Sequence, residues 1–291
     1  MGENNWTASR IPDQTGRTFI VTGANSGLGL ATSGQLARRG AHVIMAVRDE
    51  AKGRQAVADL DSVRAFADRI HADGVRVDVL VNNAGVMMPP RALSPQGHEI
   101  QFAGNHLGHF ALTGLLLDIL QTGNDPRVVT VSSGLHRRGH IHFDDLTGAR
   151  KYSPTAFYAQ SKFANVLFGL ELGRRLRAAG SSVRSLLAHP GYAATNLQTS
   201  GPTGLLNLLG RLGNRLLAQD VEMGALPQLY AATDPDAESG QFIGPDGPSE
   251  NKGYPTTVRP VASAEDPATA RRLWKLSEEL TGVRYDLPAA G

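Results

Sequence analysis

The sequence lacks several features that would assign it to a specialised class of protein. It has no cysteine, which excludes disulfide cross-links, thiolate metal sites and a cysteine nucleophile. No apolar run reaches the ~18 residues that a membrane-spanning helix needs. Basic residues exceed acidic ones by only 29 to 27 and form no tract. The chain is therefore not expected to bind nucleic acid.

The first residues also lack a basic segment followed by an apolar stretch, which a secretory signal would contain. A cytoplasmic protein is the expectation that follows.

Glycine, in contrast, is abundant, with 33 among 291 residues and no fixed period. Continuous apolar runs alternate with helical patterns, which predicts a doubly wound parallel α/β sheet with helices on both faces, in three layers. With no repeat or linker visible, residues 1–291 are predicted to be a single domain. The predicted strands are 17–22, 42–47, 77–81, 127–131 and 183–188, and the predicted helices are 28–39, 99–121 and 155–179.

Three of the glycines fall in one turn between the first strand and the first helix. Glycine permits positive φ and close approach of a ligand, and the N-terminus of the following helix attracts an anion. A bound diphosphate fits this chemistry, whereas an ordinary tight turn would not need three glycines. The predicted cofactor-binding residues here are Gly23, Asn25, Ser26, Gly27, Leu28 and Gly29.

A tyrosine and a lysine lie four residues apart in the second long helix. Tyr158 and Lys162 share one helix face, about one turn apart. A neighbouring ammonium favours the phenolate and lowers the pKa of a tyrosine, so the pair is a candidate general acid/base. Alone, the spacing is also typical of a surface helix.

These motifs, together with Ser133 at the end of a strand, resemble those of the short-chain dehydrogenase/reductase family. The resemblance implies a Rossmann-type fold, NAD(P), and interconversion of a carbonyl and an alcohol by hydride transfer. Tyr158 would move the proton, Lys162 would lower its pKa and hold the ribose, Ser133 would orient the substrate oxygen, and Asn105 would position a relay water.

The resemblance assigns further cofactor contacts to two strand ends. Asn83, Ala84 and Gly85 would border the nicotinamide ribose, and Pro190, Gly191 and Thr195 would lie at the carboxamide.

The residue that sets the preference for NADP or NAD is expected at the end of the second strand. Arg48 lies just after the position where NAD-preferring members carry Asp, and an arginine there accommodates a 2′-phosphate. NADP is therefore favoured over NAD. The alternative is that Arg48 is a solvated charge and Asp49 only caps the next helix.

The segment between Ser133 and Tyr158 is about twice as long as in most of the family. Its histidines, His136, His140 and His142, are interpreted as a surface excursion, with no metal expected. With residues 105–110 and 273–283, this segment resembles the branch of retinol dehydrogenases, WW-domain oxidoreductases and protochlorophyllide reductases. The substrate would then be a lipophilic small molecule.

A leucine-rich stretch near the C-terminal third has three interpretations. Residues 203–218 carry leucines on one helical face, and the family places a substrate lid at about residues 192–218. A lid, an ordinary core helix and a membrane-surface helix all fit the pattern. The family also favours homodimers and homotetramers through helices 99–121 and 155–179.

The sequence is short between Arg48 and the strand at Val77. The family has a third strand and an adenine-contacting aspartate there, and ~15 residues are missing, the length of a strand with its loops. We therefore expect this edge strand to be absent or compressed.

The alternative function is a non-catalytic NADP-sensing protein, in which the catalytic groups would be idle.

Overall fold

The computed structural model describes residues 5–47, 59–192 and 220–289. The strands are β1 Thr18–Thr22, β2 His42–Ala46, β3 Val79–Asn82, β4 Arg127–Val131, β5 Arg184–Ala188, β6 Phe242–Pro245 and β7 Pro255–Val258. The α-helices are α1 Gly27–Arg38, α2 Leu60–Ala72, α3 Ile100–Phe102, α4 Gly108–Leu115, α5 Leu117–Gln121, α6 Pro154–Ala178, α7 Val221–Thr233 and α8 Pro267–Thr281. Short 3₁₀ turns span Ala8–Arg10, Gly134–Arg138, Pro248–Glu250 and Ala262–Glu265.

The strands form one sheet in the order β2-β1-β3-β4-β5-β6-β7. All neighbours are parallel except β6 and β7. The apolar-run pattern did not predict this antiparallel pair, which follows from a connection too short for a parallel crossover. The parallel register brings the carboxyl ends of β1, β3, β4 and β5 to one edge.

Helices cover both faces, so the predicted three-layer α/β architecture is confirmed. Successive residues of a strand point to opposite faces: Phe19 and Val21 belong to the apolar cluster beneath α1 and α7. Ile20, between them, belongs to the cluster beneath α2, α4, α6 and α8.

The predicted continuous helix over residues 99–121 is wrong in detail, because the chain is interrupted twice. A π-helical turn, Ala103–Leu107, separates α3 from α4, and Leu116 leaves helical geometry before α5. Such π turns are frequent at functional sites, and Asn105 lies in this one.

Among the described residues, β2 is the outermost strand on its side, and the expected absence of a further edge strand stays a prediction. Residues 48–58, which would have to supply a further strand, lie outside the described residues. On β2 and just after it, Met45 is 43% exposed and Val47 is 50% exposed.

The C-terminal helix α8 packs across α4 and α6. The Trp274 ring lies 5.1 Å from that of Phe110 in α4 and 5.8 Å from that of Phe168 in α6. Tyr285, just beyond α8, donates a hydrogen bond to Phe110 O at 2.6 Å. Helix α8 thus covers part of the helix surface expected to pair subunits, and the homodimer or homotetramer stays a prediction.

Candidate active site

The site lies in a cleft at the carboxyl ends of β1, β3, β4 and β5. The predicted residues that border it are Gly23, Asn25, Ser26, Gly27, Leu28, Gly29, Asn83, Ala84, Gly85, Ser133, Tyr158, Lys162, Pro190 and Gly191. Asn105 is fully buried and lies behind this lining. Arg48, Thr195 and most of the predicted lid, including residues 203–218, lie outside the described residues.

The glycine-rich turn presents a helix N-terminus to the cleft. Gly23 and Gly27 have φ of 66° and 53°, a region that side chains other than glycine rarely occupy. Ser26, at the N-cap of α1, makes no side-chain capping bond, and the first turn holds no acidic residue. The end of α1 therefore keeps the donor and dipole character that suits a diphosphate.

Thr22 joins this turn to the loop after β3. Its hydroxyl oxygen accepts hydrogen bonds from the amides of Asn83 and Ala84, each at 2.9 Å. The Asn83 side chain donates to Thr22 O at 2.8 Å. A Cβ on Gly29 would lie only 2.6 Å from Asn83 Nδ2, so glycine is needed for the two loops to approach.

His109 is a site residue whose role the sequence reasoning missed. Its Nδ1 lies 3.0 Å from Asn105 O and must donate there, so Nε2, 3.0 Å from the Thr22 hydroxyl, accepts from it. Burial, and secondarily the charge of Lys162, lowers the pKa of His109 to about 4. A neutral histidine thus links the cofactor turn to the π turn. Its i+4 spacing from Asn105 was the available signal.

The Asn105 side chain is fully engaged. Its Oδ1 accepts from Val86 N at 2.8 Å, and its Nδ2 donates to Val86 O and to the Ser161 hydroxyl, each at 2.9 Å. These bonds tie the loop after β3 to Ser161 in α6, which directly precedes Lys162.

Ser133, Tyr158 and Lys162 meet in the cleft. Burial raises the pKa of Tyr158 to about 12, and a hydrogen bond with Ser133 lowers it by less. Lys162 Nζ donates to Val131 O at 3.2 Å and lies 5.9 Å from the tyrosine ring. Burial lowers the pKa of Lys162 to about 8. The expected lowering of the tyrosine pKa is thus not what this geometry gives, because desolvation of the phenolate outweighs its partners.

Apolar side chains form part of the cleft lining, called here the apolar wall. It includes Met87, Met88, Pro89, Leu93 and Leu135. Met88 has a φ of 51°, which is strained for a side chain of this kind. Gln101 Oε1 accepts from the Met88 amide at 2.8 Å, which holds this turn in place.

The histidine segment is not wholly a surface excursion, and that prediction is wrong for His136. This side chain is fully buried, and its Nδ1 lies 2.7 Å from Ser133 O. It helps to fix the turn that follows the candidate catalytic serine. In the described ranges, no group of three or more His, Cys, Asp or Glu is placed to hold a metal ion.

The fold and site define a dinucleotide-binding oxidoreductase. The family model for short chain dehydrogenases matches residues 17–204, and the chain belongs to this family. It is an NAD(P)-dependent dehydrogenase that acts on alcohols or carbonyls. In the described ranges, no helix is both long and apolar enough to span a membrane.

The chain is similar to several curated relatives over most of its length. Human retinol dehydrogenase 13 is 41% identical, covering 92% of this chain and 85% of the relative. Mouse polyprenol dehydrogenase is 39% identical, covering 94% and 86%. The predicted resemblance to the retinol dehydrogenase branch is confirmed.

Two solved structures carry the same fold. An uncharacterized protein of Mycobacterium paratuberculosis is 45% identical, with a TM-score of 0.80, covering 98% of this chain and all of that one. A protein of Beutenbergia cavernae solved with NADP is 26% identical, with a TM-score of 0.60, covering 78% and 94%.

Proposed function

We propose that the protein reduces a lipophilic aldehyde or ketone to its alcohol with NADPH, and that it catalyses the reverse oxidation with NADP⁺. The observation that carries this proposal is the joint position of Ser133, Tyr158 and Lys162 beside the α1 N-terminus and the apolar wall. NADPH, when bound, supplies the hydride for the substrate carbon. The first turn of α1 and the loop after β3 would hold the cofactor.

Tyr158 is the general acid in this proposal. With a pKa of about 12, the phenol keeps its proton at neutral pH, which suits donation to a carbonyl oxygen during reduction. Ser133 shares a hydrogen bond with Tyr158 and would orient the same oxygen. The Lys162 ammonium would stabilise the charge left on Tyr158.

Asn105 and His109 act in this proposal as positioning residues. The Asn105 side chain is already bonded to Val86 and Ser161, and its carbonyl accepts from His109. A Cβ on Gly85 would lie 3.2 Å from Asn105 Oδ1 and 3.5 Å from Lys162 Nζ. Asn105 would therefore fix the loop that faces Lys162.

The lipophilic substrate is supported by the methionine- and proline-rich wall and by the names of the relatives, retinol and polyprenol dehydrogenases. NADP preference is supported by Arg48 in the sequence and by the NADP bound in the similar structure from Beutenbergia cavernae. The cytoplasmic location stays a prediction.

The test compares the wild type with Tyr158→Phe. Aldehyde reduction is followed by loss of NADPH absorbance with all-trans-retinal and with benzaldehyde, and NADPH binding is measured by fluorescence. We expect retinal to be reduced with the higher kcat/KM. Tyr158→Phe should lower kcat by roughly 10²–10⁴-fold while NADPH binds as before.

Tyr230→Phe is the matched control, because Tyr230 packs on Trp6 beneath the other face of the sheet. Its turnover should equal that of the wild type. Normal turnover in Tyr158→Phe would refute the assignment. Binding of NADPH without turnover of any carbonyl would favour the NADP-sensing alternative.

A further inference from the structure

Behind the Pro190–Gly191 loop, three side chains from separate segments form a charged cluster. His189 Nε2 lies 2.9 Å from Glu250 Oε2, and Arg137 donates to Glu250 Oε1 at 2.6 Å. The His189 side chain is fully buried, whereas those of Glu250 and Arg137 are 24% and 40% exposed. We call these three residues the His189–Glu250–Arg137 brace.

The hydrogen-bond directions in the brace are fixed by the backbone. The Gly191 amide donates to His189 Nδ1 at 3.3 Å, so this nitrogen carries no proton. The proton of the neutral imidazole is then on Nε2 and is donated to Glu250. These donors, the His189 hydrogen bond first, lower the pKa of Glu250 to about 2.

The Glu250 carboxylate is carried by a strained stretch of backbone. Ser249 and Glu250 have φ of 55° and 56°, values that cost free energy in residues other than glycine. The β6–β7 connection that contains them also touches the loop after β5, since the Tyr192 amide donates to Asn251 O at 2.8 Å. Strain of this kind persists where surrounding contacts over-determine it and clusters at functional sites.

The brace connects the loops that follow two neighbouring strands. Arg137 lies in the 3₁₀ turn Gly134–Arg138, directly after Ser133 at the end of β4. His189 directly follows β5 and precedes Pro190. Glu250 is in contact with both the Arg137 and the His189 side chains, and Arg137 also donates to Arg259 O at 3.0 Å. Both Arg137 and Glu250 border the cleft.

We infer that Glu250 is a positioning residue that fixes the nicotinamide end of the cofactor site, by tying the Ser133 turn to the Pro190–Gly191 loop. This inference rests on the proposed function and on the expectation from the family resemblance that Pro190 and Gly191 lie at the nicotinamide carboxamide. The brace lies away from the glycine-rich turn, so it should leave the adenosine and diphosphate end of the site unchanged.

The substitution Glu250→Gln tests the inference. An amide cannot accept from both donors in the present arrangement, because one of its two terminal atoms is itself a donor. We expect NADPH to bind roughly tenfold more weakly, the effect of losing one charge-assisted hydrogen bond. Binding of 2′-phospho-ADP-ribose, which lacks nicotinamide, should stay within about twofold of the wild type, as measured by calorimetry.

Glu238→Gln is the matched control, an identical change at an exposed position, and should leave both affinities unchanged. Arg137→Gln removes the less buried donor and should weaken NADPH binding selectively but less, which keeps the test open if Glu250→Gln does not fold.

Two outcomes would overturn the inference: equal weakening of both ligands, which indicates a general structural defect, or no weakening of either. A wild type that binds neither NADPH nor NADH would instead refute the proposed function.

Discussion

The two ends of the cleft are built very differently. At the end proposed to hold the nicotinamide, called the nicotinamide end, strands β3 and β4 are buried along their whole length, and Asn105 bonds the loop after β3 to α6. At the other end, β2 pairs on one side with β1, and no other described strand adjoins it. Two of its residues, His42 and Met45, are exposed, and the other three are partly buried.

This difference indicates where geometry is most strictly specified. Proton transfer needs groups held within hydrogen-bond reach, and each loop at the nicotinamide end has several independent partners. The β2 end has fewer contacts among the described residues, and the sequence between Arg48 and the strand at Val77 is short. Substitutions should therefore be costly at the first end and tolerated at the second.

The largest loss of stability on substitution is expected in the aromatic cluster beneath α8. Phe110 is fully buried and contacts Phe168, Trp274 and Tyr285. Phe110→Ala should lower the free energy of unfolding by about 3–5 kcal/mol, measured by urea denaturation. Phe66→Ala in α2, where the ring is only partly buried, should cost clearly less. An equal loss of unfolding free energy in Phe110→Ala and Phe66→Ala would contradict the expected difference between the two sites.

Acid should destabilise the nicotinamide end through its buried histidines. Burial lowers the pKa of His106 to about 3 and that of His109 to about 4. Between pH 6.5 and these values the unfolded chain binds protons that the folded chain does not, so stability is full above about 6.5 and falls as the pH drops. Acidification from pH 6.5 to pH 4 should cost up to about 3 kcal/mol for each group.

Urea midpoints measured from pH 7 to pH 4 test this prediction. His109→Gln should reduce the slope of stability against pH. An unchanged slope in His109→Gln would contradict the buried, neutral assignment.

The rate of turnover should depend on the positive charge of Lys162. Burial lowers its pKa to about 8, so the ammonium is lost as the pH rises through that value. We expect kcat/KM for retinal reduction to fall about tenfold per pH unit above it. Lys162→Arg keeps its charge throughout this range, so its residual activity should lack this fall. A flat wild-type profile from pH 7 to pH 10 would exclude a role for this charge.

The smallest effect is expected on β2. Met45, which is 43% exposed, pairs in register with Val21 of β1, which is fully buried. Met45→Thr should change stability by less than about 0.5 kcal/mol. Val21→Thr places a hydroxyl in the core and should cost about 1–3 kcal/mol. Thermal unfolding of both variants gives the comparison, and a costly Met45→Thr would show that this edge is more tightly packed than its exposure indicates.

Local patterns predicted much of the molecule. The apolar runs placed β1 to β5, and the glycine and Tyr–Lys spacings placed Gly23, Tyr158 and Lys162 in one cleft. These features succeed because each depends on residues close in sequence or on the fixed rule that parallel strands end at the same edge.

Other features escaped prediction because they depend on contacts between distant segments. The π turn at Asn105 is stabilised by Val86 and Ser161, and no local pattern indicates it. The antiparallel strand β7 and the packing of α8 over α4 and α6 have the same origin.

The sequence by itself determined the class of the protein: a doubly wound α/β dehydrogenase with a glycine-rich turn and a Tyr–Lys pair. Only the tertiary structure decided how these groups are tuned. Burial raises the pKa of Tyr158 to about 12, opposite to the direction that its lysine neighbour suggested. The physical reason is that desolvation depends on everything packed around a group, whereas a motif reveals only the partners that lie within it.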